Sequence, residues 1–237
     1  MRQSGFIAGV ATVSQISEYF PAVGFVESEK AVDSLFTLEA GSRSQTRCPR
    51  CGDLLWRTLT LLPEANPQLL QLIGRRLDLL FCWSCPAAVS LTYKPLSNGI
   101  EFLDYWKGDG EYPPYEPYPE DSTTVNVSFR EQSSSEALIH AEYWSRTSYG
   151  QIVQRCKSMG IDSESVLNTG FCIGGIPFLH EFPDVGTCPL CERKYTFLAT
   201  VPDGNGTELG YSGGECVVMF FEICSFCGVV HAGHQTD

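Results

Sequence analysis

The chain has 237 residues, of which 43% are hydrophobic and 19% are charged, and its formal net charge is −12. This composition is typical of a globular protein with a buried core, and it excludes an intrinsically disordered chain. The negative charge opposes binding to nucleic acid phosphates and to anionic membranes, because like charges repel. No apolar run reaches the roughly 18–20 residues that a membrane-spanning helix needs.

The N-terminal residues weakly resemble a signal peptide, with Arg2 ahead of an apolar run over residues 5–13. Glycine and threonine interrupt this run and Ser14 and Gln15 follow it, so secretion is not expected. The eleven cysteines are therefore expected in a reducing cytoplasm, where thiolates bind metal. Disulfides in an oxidising compartment are the alternative.

Two Cys-x-x-Cys pairs define a first unit, with 30 residues between them. Two thiolates separated by two residues can lie on one tight turn, and a second such turn completes a tetrahedral set. The candidate ligands of this unit are Cys48, Cys51, Cys82 and Cys85. Between the pairs, Asn66 and Pro67 predict the start of a short helix that ends at Gly74, and the flanking runs predict strands.

The acidic segment at residues 101–121 carries seven acidic side chains and one lysine. Four prolines within residues 112–121 favour an extended path. Aromatic side chains interleaved with acids supply contact area, while the charge attracts a basic protein. The candidate partner-binding residues are Tyr105, Trp106, Glu111, Tyr112, Tyr115, Glu116 and Tyr118. A solvated linker whose rings pack onto the rest of the chain is the alternative.

The middle of the chain predicts a strand over residues 123–129 and helices over residues 135–146 and 149–159, with Gly160 as a stop. Further on, Gly174 and Gly175 match no phosphate-binding loop. They predict a close crossing of two backbone segments, which only glycines permit.

A second unit repeats the first, with 32 residues between its two pairs. Its candidate ligands are Cys188, Cys191, Cys224 and Cys227. In both units a strand-like run leaves the first turn and an apolar run enters the second, at an offset of about 140 residues. The sequence therefore predicts an α+β, β-rich, internally duplicated two-lobed fold with two zinc-ribbon-like four-cysteine sites. The expected domains are a first lobe at residues 1–100, an acidic linker at residues 101–122 and a second lobe at residues 123–237.

Two structural zinc ions are expected, because a site closed by four thiolates leaves no position for a reactive water. Reduced core cysteines, or one unit that has lost its ion, are the alternatives. His231 and His234 could replace a thiolate, although four cysteines are already present in the second unit. The remaining cysteines, Cys156, Cys172 and Cys216, are expected to be small core residues.

The ordered motifs of the second unit carry a family resemblance. Gly174-Gly175-Ile176-Pro177-Phe178-Leu179 is followed by a Cys-x-x-Cys turn, the strand Tyr195-Thr-Phe-Leu-Ala-Thr-Val201, and an apolar strand into a second such turn. This order resembles the programmed-cell-death-2-like family and the related bacterial YwqG-like domain, over residues 170–231 and more loosely over residues 48–93. The resemblance implies a duplicated β-rich fold without established enzymatic chemistry. It also implies a role as a chaperone for one basic protein or as an immunity protein against a toxin.

The expected function is a non-catalytic, zinc-binding protein-interaction module in the cytoplasm. Its partner is expected to be a basic protein, either a toxin or a client, with no nucleic acid and no membrane partner. A monomer or a small oligomer is expected. One alternative is an enzyme that uses Cys172 or His180 near the glycine turn at residues 174–175. A nucleic-acid-binding zinc ribbon, which the acidic charge opposes, and a structural subunit of a larger complex are the others.

Overall fold

The computed structural model describes residues 18–28, 31–82, 84–85, 90–105, 124–144, 148–167, 170–179, 185–202 and 217–236. These residues form a strand-rich fold, as the sequence predicts. The strands are β1 (Gly24–Glu27), β2 (Phe36–Arg47), β3 (Leu54–Leu61), β4 (Leu77–Phe81), β5 (Leu91–Leu96), β6 (Gly99–Tyr105), β7 (Val125–Glu131), β8 (Cys172–Gly174), β9 (Thr196–Pro202), β10 (Val217–Ile223) and β11 (Val230–Thr236). The helices are α1 (Pro67–Ile73), α2 (Ser134–Trp144), α3 (Tyr149–Ser158) and α4 (Ser163–Val166), with short 3-10 helices at Ala31–Asp33 and Pro63–Ala65.

The strands form one 11-stranded sheet in the order β4-β3-β2-β7-β1-β8-β9-β10-β11-β5-β6. Strand β1 comes from the N-terminal part of the chain, yet it pairs with β7 on one side and β8 on the other. Strand β5 likewise pairs with β11. Strands from both expected lobes therefore alternate within one sheet, and β6 runs across residue 100. The proposed domain boundaries stay predictions.

The sheet curls until its β4 end meets the face formed by β5 and β11. The hydroxyl of Tyr93 on β5 accepts a hydrogen bond from the Leu80 N–H at 2.9 Å and donates one to the Asp78 carbonyl at 3.1 Å. The rings of Phe81 and His234 lie 5.9 Å apart at an edge-to-face angle. Because an open strand edge leaves backbone groups unpaired, these contacts protect one end of the sheet.

One buried cluster forms most of the core and joins residues from both halves of the chain. Its largest fully buried members include Phe25, Leu55, Tyr93, Phe129 and Phe221. A separate cluster lies among the helices and includes Cys156, while Cys172 packs with Tyr19, Trp144 and Phe197 in another. The prediction that Cys156 and Cys172 are core residues is confirmed, whereas Cys216 lies outside the described residues.

Helices α1, α2 and α3 form where the local signals predict them, whereas the short α4 was not predicted. Asn66 accepts a hydrogen bond from the Gln68 N–H at 2.8 Å at the start of α1, which ends at Gly74. Ser148 and Gln151 form a reciprocal capping box at the start of α3. No helix among the described residues is long and apolar enough to cross a membrane.

The predicted crossing at Gly174 and Gly175 is present. The Gly175 N–H donates to the Val23 carbonyl at 2.9 Å, and a Cβ on Gly24 would lie 2.5 Å from the Gly175 Cα. Both Gly174 and Gly175 have a φ near +60°, at 61° and 60°. Only glycines fit this approach, since a side chain on either segment would meet the opposing backbone.

Candidate metal centres

The first centre brings together the four cysteines of the first unit, whose sulfurs all lie within 4.8 Å of one another. The Cys48 and Cys85 sulfurs are 3.6 Å apart, and those of Cys51 and Cys82 are 3.5 Å apart. Three of these side chains are buried and belong to the main core, while Cys51 is exposed. The first centre therefore lies at the edge of the core itself.

The second centre gathers the four cysteines of the second unit in the same way. The sulfurs of Cys191 and Cys224 lie 3.5 Å apart. Cys188 and Cys224 are buried, whereas Cys191 and Cys227 are half-exposed. A small cluster of its own, with Tyr195 and Val229, surrounds this centre. The second centre is therefore more peripheral than the first.

Three of the four cysteine turns share one backbone pattern. The N–H of the first cysteine donates to a carbonyl beyond the turn, from Cys48 to Asp53 at 2.7 Å, from Cys188 to Arg193 at 2.8 Å and from Cys224 to Val229 at 2.8 Å. The carbonyl of that cysteine then accepts from the residue after the second cysteine, which is Gly52, Glu192 or Gly228. That residue has a φ of 81°, 59° or 66° in the three turns. The remaining turn, at Cys82 and Cys85, falls partly outside the described residues.

The hairpins that carry the turns also match in register. In the first, Arg57 of β3 pairs with Leu80 of β4; in the second, Phe197 of β9 pairs with Glu222 of β10. Each hairpin has a bulge at the equivalent position, on Thr58 in β3 and on Leu198 in β9. A bulge increases the local twist of a strand, and here it does so at the same distance from each metal turn. Strand β5, which follows the second turn of the first unit, pairs with β11 and not with β4. The origin of the matching hairpins in an internal duplication therefore stays a prediction.

Both clusters bring four sulfurs close enough together to bind one metal ion. Metal–sulfur bonds of about 2.3 Å place the sulfurs of a tetrahedral zinc site about 3.8 Å apart. The observed separations of 3.5 and 3.6 Å are close to this value. Four thiolates complete such a coordination sphere and leave no open position. Each set of four cysteines could therefore hold one metal ion.

The protonation of the thiols is uneven within each cluster. Hydrogen bonds from Cys82 and Cys85 lower the pKa of Cys48, while those two cysteines have raised pKa values. In the second centre the Arg193 backbone N–H lowers the pKa of Cys191 to about 7. Metal binds the thiolate form of cysteine, so metal affinity at both centres should depend on pH.

The histidines near the second centre do not join it. Thr92 Oγ1 lies 2.9 Å from His231 Nδ1, and the His231 ring stacks on Tyr195 with centroids 5.7 Å apart. The pKa of His231 is lowered, because the effect of burial outweighs the opposing effect of nearby Asp104. His234 packs on Phe81. Both histidines therefore have structural contacts, and the metal-competent groups among the described residues contain only cysteines.

A small cleft of about 100 Å³ near Cys172 bears on the alternative of an enzyme. The Cys172 thiol donates to the Gly174 carbonyl at 3.2 Å, and burial raises its pKa. His140 also lines the cleft, but its Nδ1 lies 2.6 Å from the Ile176 carbonyl and its Nε2 lies 2.8 Å from the Val166 carbonyl. A thiol kept protonated and an imidazole held by backbone carbonyls do not favour nucleophilic catalysis. His180 lies outside the described residues.

The predicted partner-binding residues fall mostly outside the described residues, which omit Trp106, Glu111, Tyr112, Tyr115, Glu116 and Tyr118. Tyr105 is described. It ends β6, pairs with Leu91 of β5 and packs half-buried against the main core. Its ring therefore contributes to the fold at the point where the acidic segment begins.

The sequence reasoning missed two exposed apolar side chains on the turns of the second centre. Leu190 is 49% exposed and Phe226 is 67% exposed, and the Arg193 guanidinium lies 4.2 Å from the centre of the Phe226 ring. The equivalent residues of the first centre are Arg50 and Ser84, which are polar and half-buried. A comparison of the two units at the positions between the cysteines could have found this difference.

Comparison with known proteins finds no matching protein family, no matching curated protein and no matching solved structure.

Proposed function

We propose that the chain is a non-catalytic protein-interaction module of the cytoplasm that two structural zinc ions hold together. The observation that carries this proposal is the pair of closed four-cysteine centres. A metal with four protein thiolates has no position for substrate or water, so its role is to stabilise the fold. Zinc is the ion that four cysteines in a tetrahedral arrangement select most often among common cellular metals.

A basic protein is the proposed partner, because the chain carries a net charge of −12. Opposite charge steers association and increases its rate. The resemblance to programmed-cell-death-2-like and YwqG-like proteins supports two specific roles. These are neutralisation of a toxin by a bacterial immunity protein and protection of a basic client by a dedicated chaperone.

The metal part of the proposal is tested by elemental analysis of the purified full-length chain. Two zinc ions per chain are expected, with none lost on dialysis against buffer. A chain that folds and contains no metal would refute the structural role of zinc.

The partner part is tested by affinity purification of the tagged full-length chain from its own cells. A stoichiometric basic protein is expected, and binding should weaken as salt screens the charges. Deletion of residues 112–121 should reduce the recovery of this protein while the metal content stays unchanged. Failure to recover any basic protein, with both zinc ions present, would refute the partner and leave the metal proposal intact.

A further inference from the structure

The exposed tip of the second centre has a composition that differs from the rest of this acidic molecule. We define the second-centre tip as Leu190, Phe226, Arg193, Lys194 and Arg75. The first two are exposed apolar side chains on the two metal turns. Arg193 and Lys194 follow the first turn and are exposed, and Arg75 lies beside the second turn. Its guanidinium is 3.2 Å from the position that a Cβ on Gly228 would occupy.

The charge of this tip is positive. Glu192 is the acidic residue next to these turns, whereas Arg193 and Lys194 follow it directly and Arg75 lies beside Gly228. Among the described residues, no carboxylate forms an ion pair with these three cations. In a chain with a net charge of −12, such a local excess of positive charge is complementary to an acidic group from elsewhere.

The tip is also preformed. Both apolar side chains project from turns whose backbone is fixed by hydrogen bonds to Cys188 and Cys224. The Arg193 guanidinium over the Phe226 ring holds the aromatic side chain in place and leaves its own edge able to bind a carboxylate. A rigid aromatic beside a cation is the typical composition of an interaction hot spot.

We propose that the second-centre tip is a docking surface for an acidic protein segment that carries one hydrophobic side chain. The hydrophobic side chain packs between Leu190 and Phe226, and the acidic groups pair with Arg193, Lys194 and Arg75. A protein segment fits better than a nucleic acid, because the aliphatic Leu190 offers no stacking surface for a base. This surface differs in charge from the acidic segment proposed for a basic partner.

The first unit supplies a conservative way to remove the tip. Leu190→Arg and Phe226→Ser install the residues that the first centre carries at Arg50 and Ser84, and the turn that carries Arg50 has the same backbone pattern as the turn that carries Leu190. Arg193→Glu reverses the central charge and removes the cation from the Phe226 ring, while Leu190 and Phe226 themselves are kept. Leu138→Arg on α2 is the matched control, because Leu138 is similarly exposed at 45% and lies on an element away from both metal turns.

The experiment is a selection from a random-peptide phage library on the immobilised, zinc-loaded full-length chain. We expect enriched peptides that combine aspartate or glutamate with one aromatic or aliphatic residue. Synthetic versions of these peptides should bind the Leu190→Arg/Phe226→Ser variant and the Arg193→Glu variant at least about tenfold more weakly, as loss of a hot spot predicts. Leu138→Arg should bind them normally, and every variant should retain two zinc ions per chain.

Several results would overturn the proposal. These are enrichment of basic peptides, equal binding by the wild type and the double variant, and Phe226-dependent binding of an oligothymidine probe. Self-association that Phe226→Ser abolishes would identify a second copy of the chain as the occupant and would also overturn it. The double variant should still recover the basic partner, so failure here is separate from failure of the proposed function.

Discussion

At the scale of single residues, the residue after each second cysteine determines how easily a metal turn forms. Gly52 and Gly228 occupy left-handed backbone conformations without cost, whereas Glu192 adopts the same conformation with a side chain at a φ of 59°. An L-residue in this region loses roughly 1–2 kcal/mol. The turn at Cys188 therefore contains a local strain that the turns at Cys48 and Cys224 avoid.

We predict that Glu192→Gly raises the free energy of unfolding by about 1 kcal/mol, because it removes this strain. Gly52→Ala should lower the free energy of unfolding by a similar amount. The added Cβ would meet no atom within 4 Å, so the cost comes only from the backbone φ of 81°. Urea unfolding of the zinc-loaded proteins measures both. A decrease in stability for Glu192→Gly would show that the carboxylate contributes more than the backbone strain removes.

Glu136 is a buried carboxylate whose negative charge is compensated by hydrogen bonds from neighbouring residues. Arg130 Nη1 donates to Glu136 Oε2 at 2.9 Å, and the Ser133 N–H donates to the same oxygen at 2.7 Å. Burial alone would raise the pKa of Glu136, but the bonds from Arg130 and Ser133 hold this pKa below its ordinary value. A carboxyl with a lowered pKa in the folded state stabilises the fold when ionised.

We predict that Glu136→Gln lowers the free energy of unfolding at pH 7 by about 1–3 kcal/mol, as for other hydrogen bonds to a charged group. The difference from wild type should be complete above an unfolded-state pKa of about 4.3 and should disappear as pH falls through the folded-state pKa. Urea unfolding from pH 7 to pH 3 measures it. Glu142→Gln, which removes an exposed pair with Arg155, is the control and should change stability by less than about 1 kcal/mol. Equal pH profiles for wild type and Glu136→Gln would contradict the prediction.

At the scale of elements, the two hairpins are alike but their surroundings differ. The first centre shares the main core with Trp56, Phe81 and other large side chains, whereas the second has a small cluster around Tyr195. Loss of the proposed ion from the first centre should therefore expose more apolar surface. Two ions with the same ligands should differ in their effect on stability.

We predict that Cys85→Ser costs at least about 4 kcal/mol and that Cys227→Ser costs about 2 kcal/mol, because only the former sulfur is buried in the main core. Each variant should contain one zinc ion by elemental analysis. Chemical denaturation of the two purified variants gives the ranking. The opposite ranking would show that the second centre, and not the first, holds the sheet together.

Sequence periodicity and spacing were sufficient to predict several of these elements. The matched Cys-x-x-Cys spacing identified both cysteine sets, and Asn66 and Pro67 identified the start of α1. The placement of β1 between β7 and β8 could not be read in this way, because strand pairing over long separations depends on which edges remain free after the sheet assembles. The exposed pair of Leu190 and Phe226 was missed because exposure depends on the tertiary path of the turns.

At the scale of the whole molecule, the sheet and the core pass through both expected lobes. Residues 123–237 supply β7 and β8, but these strands do not pair with each other and need β1 between them. Residues 1–100 supply β5, which pairs with β11 from the other half. The Tyr93 hydroxyl then ties β5 to the backbone of β4. Neither half can complete its own sheet.

We therefore predict that the chain unfolds in one cooperative transition and that its halves do not fold alone. Urea transitions followed by the fluorescence of the four tryptophans, of which Trp56 and Trp144 lie in opposite halves, should coincide with those followed by circular dichroism. A fragment of residues 123–237 with zinc should lack a cooperative transition, because the gap left by β1 exposes the backbone groups of two strands. Adding a peptide of residues 18–35 should restore some structure if β1 is the missing element. Two separate transitions in the full chain, or a stably folded fragment, would instead establish independent lobes.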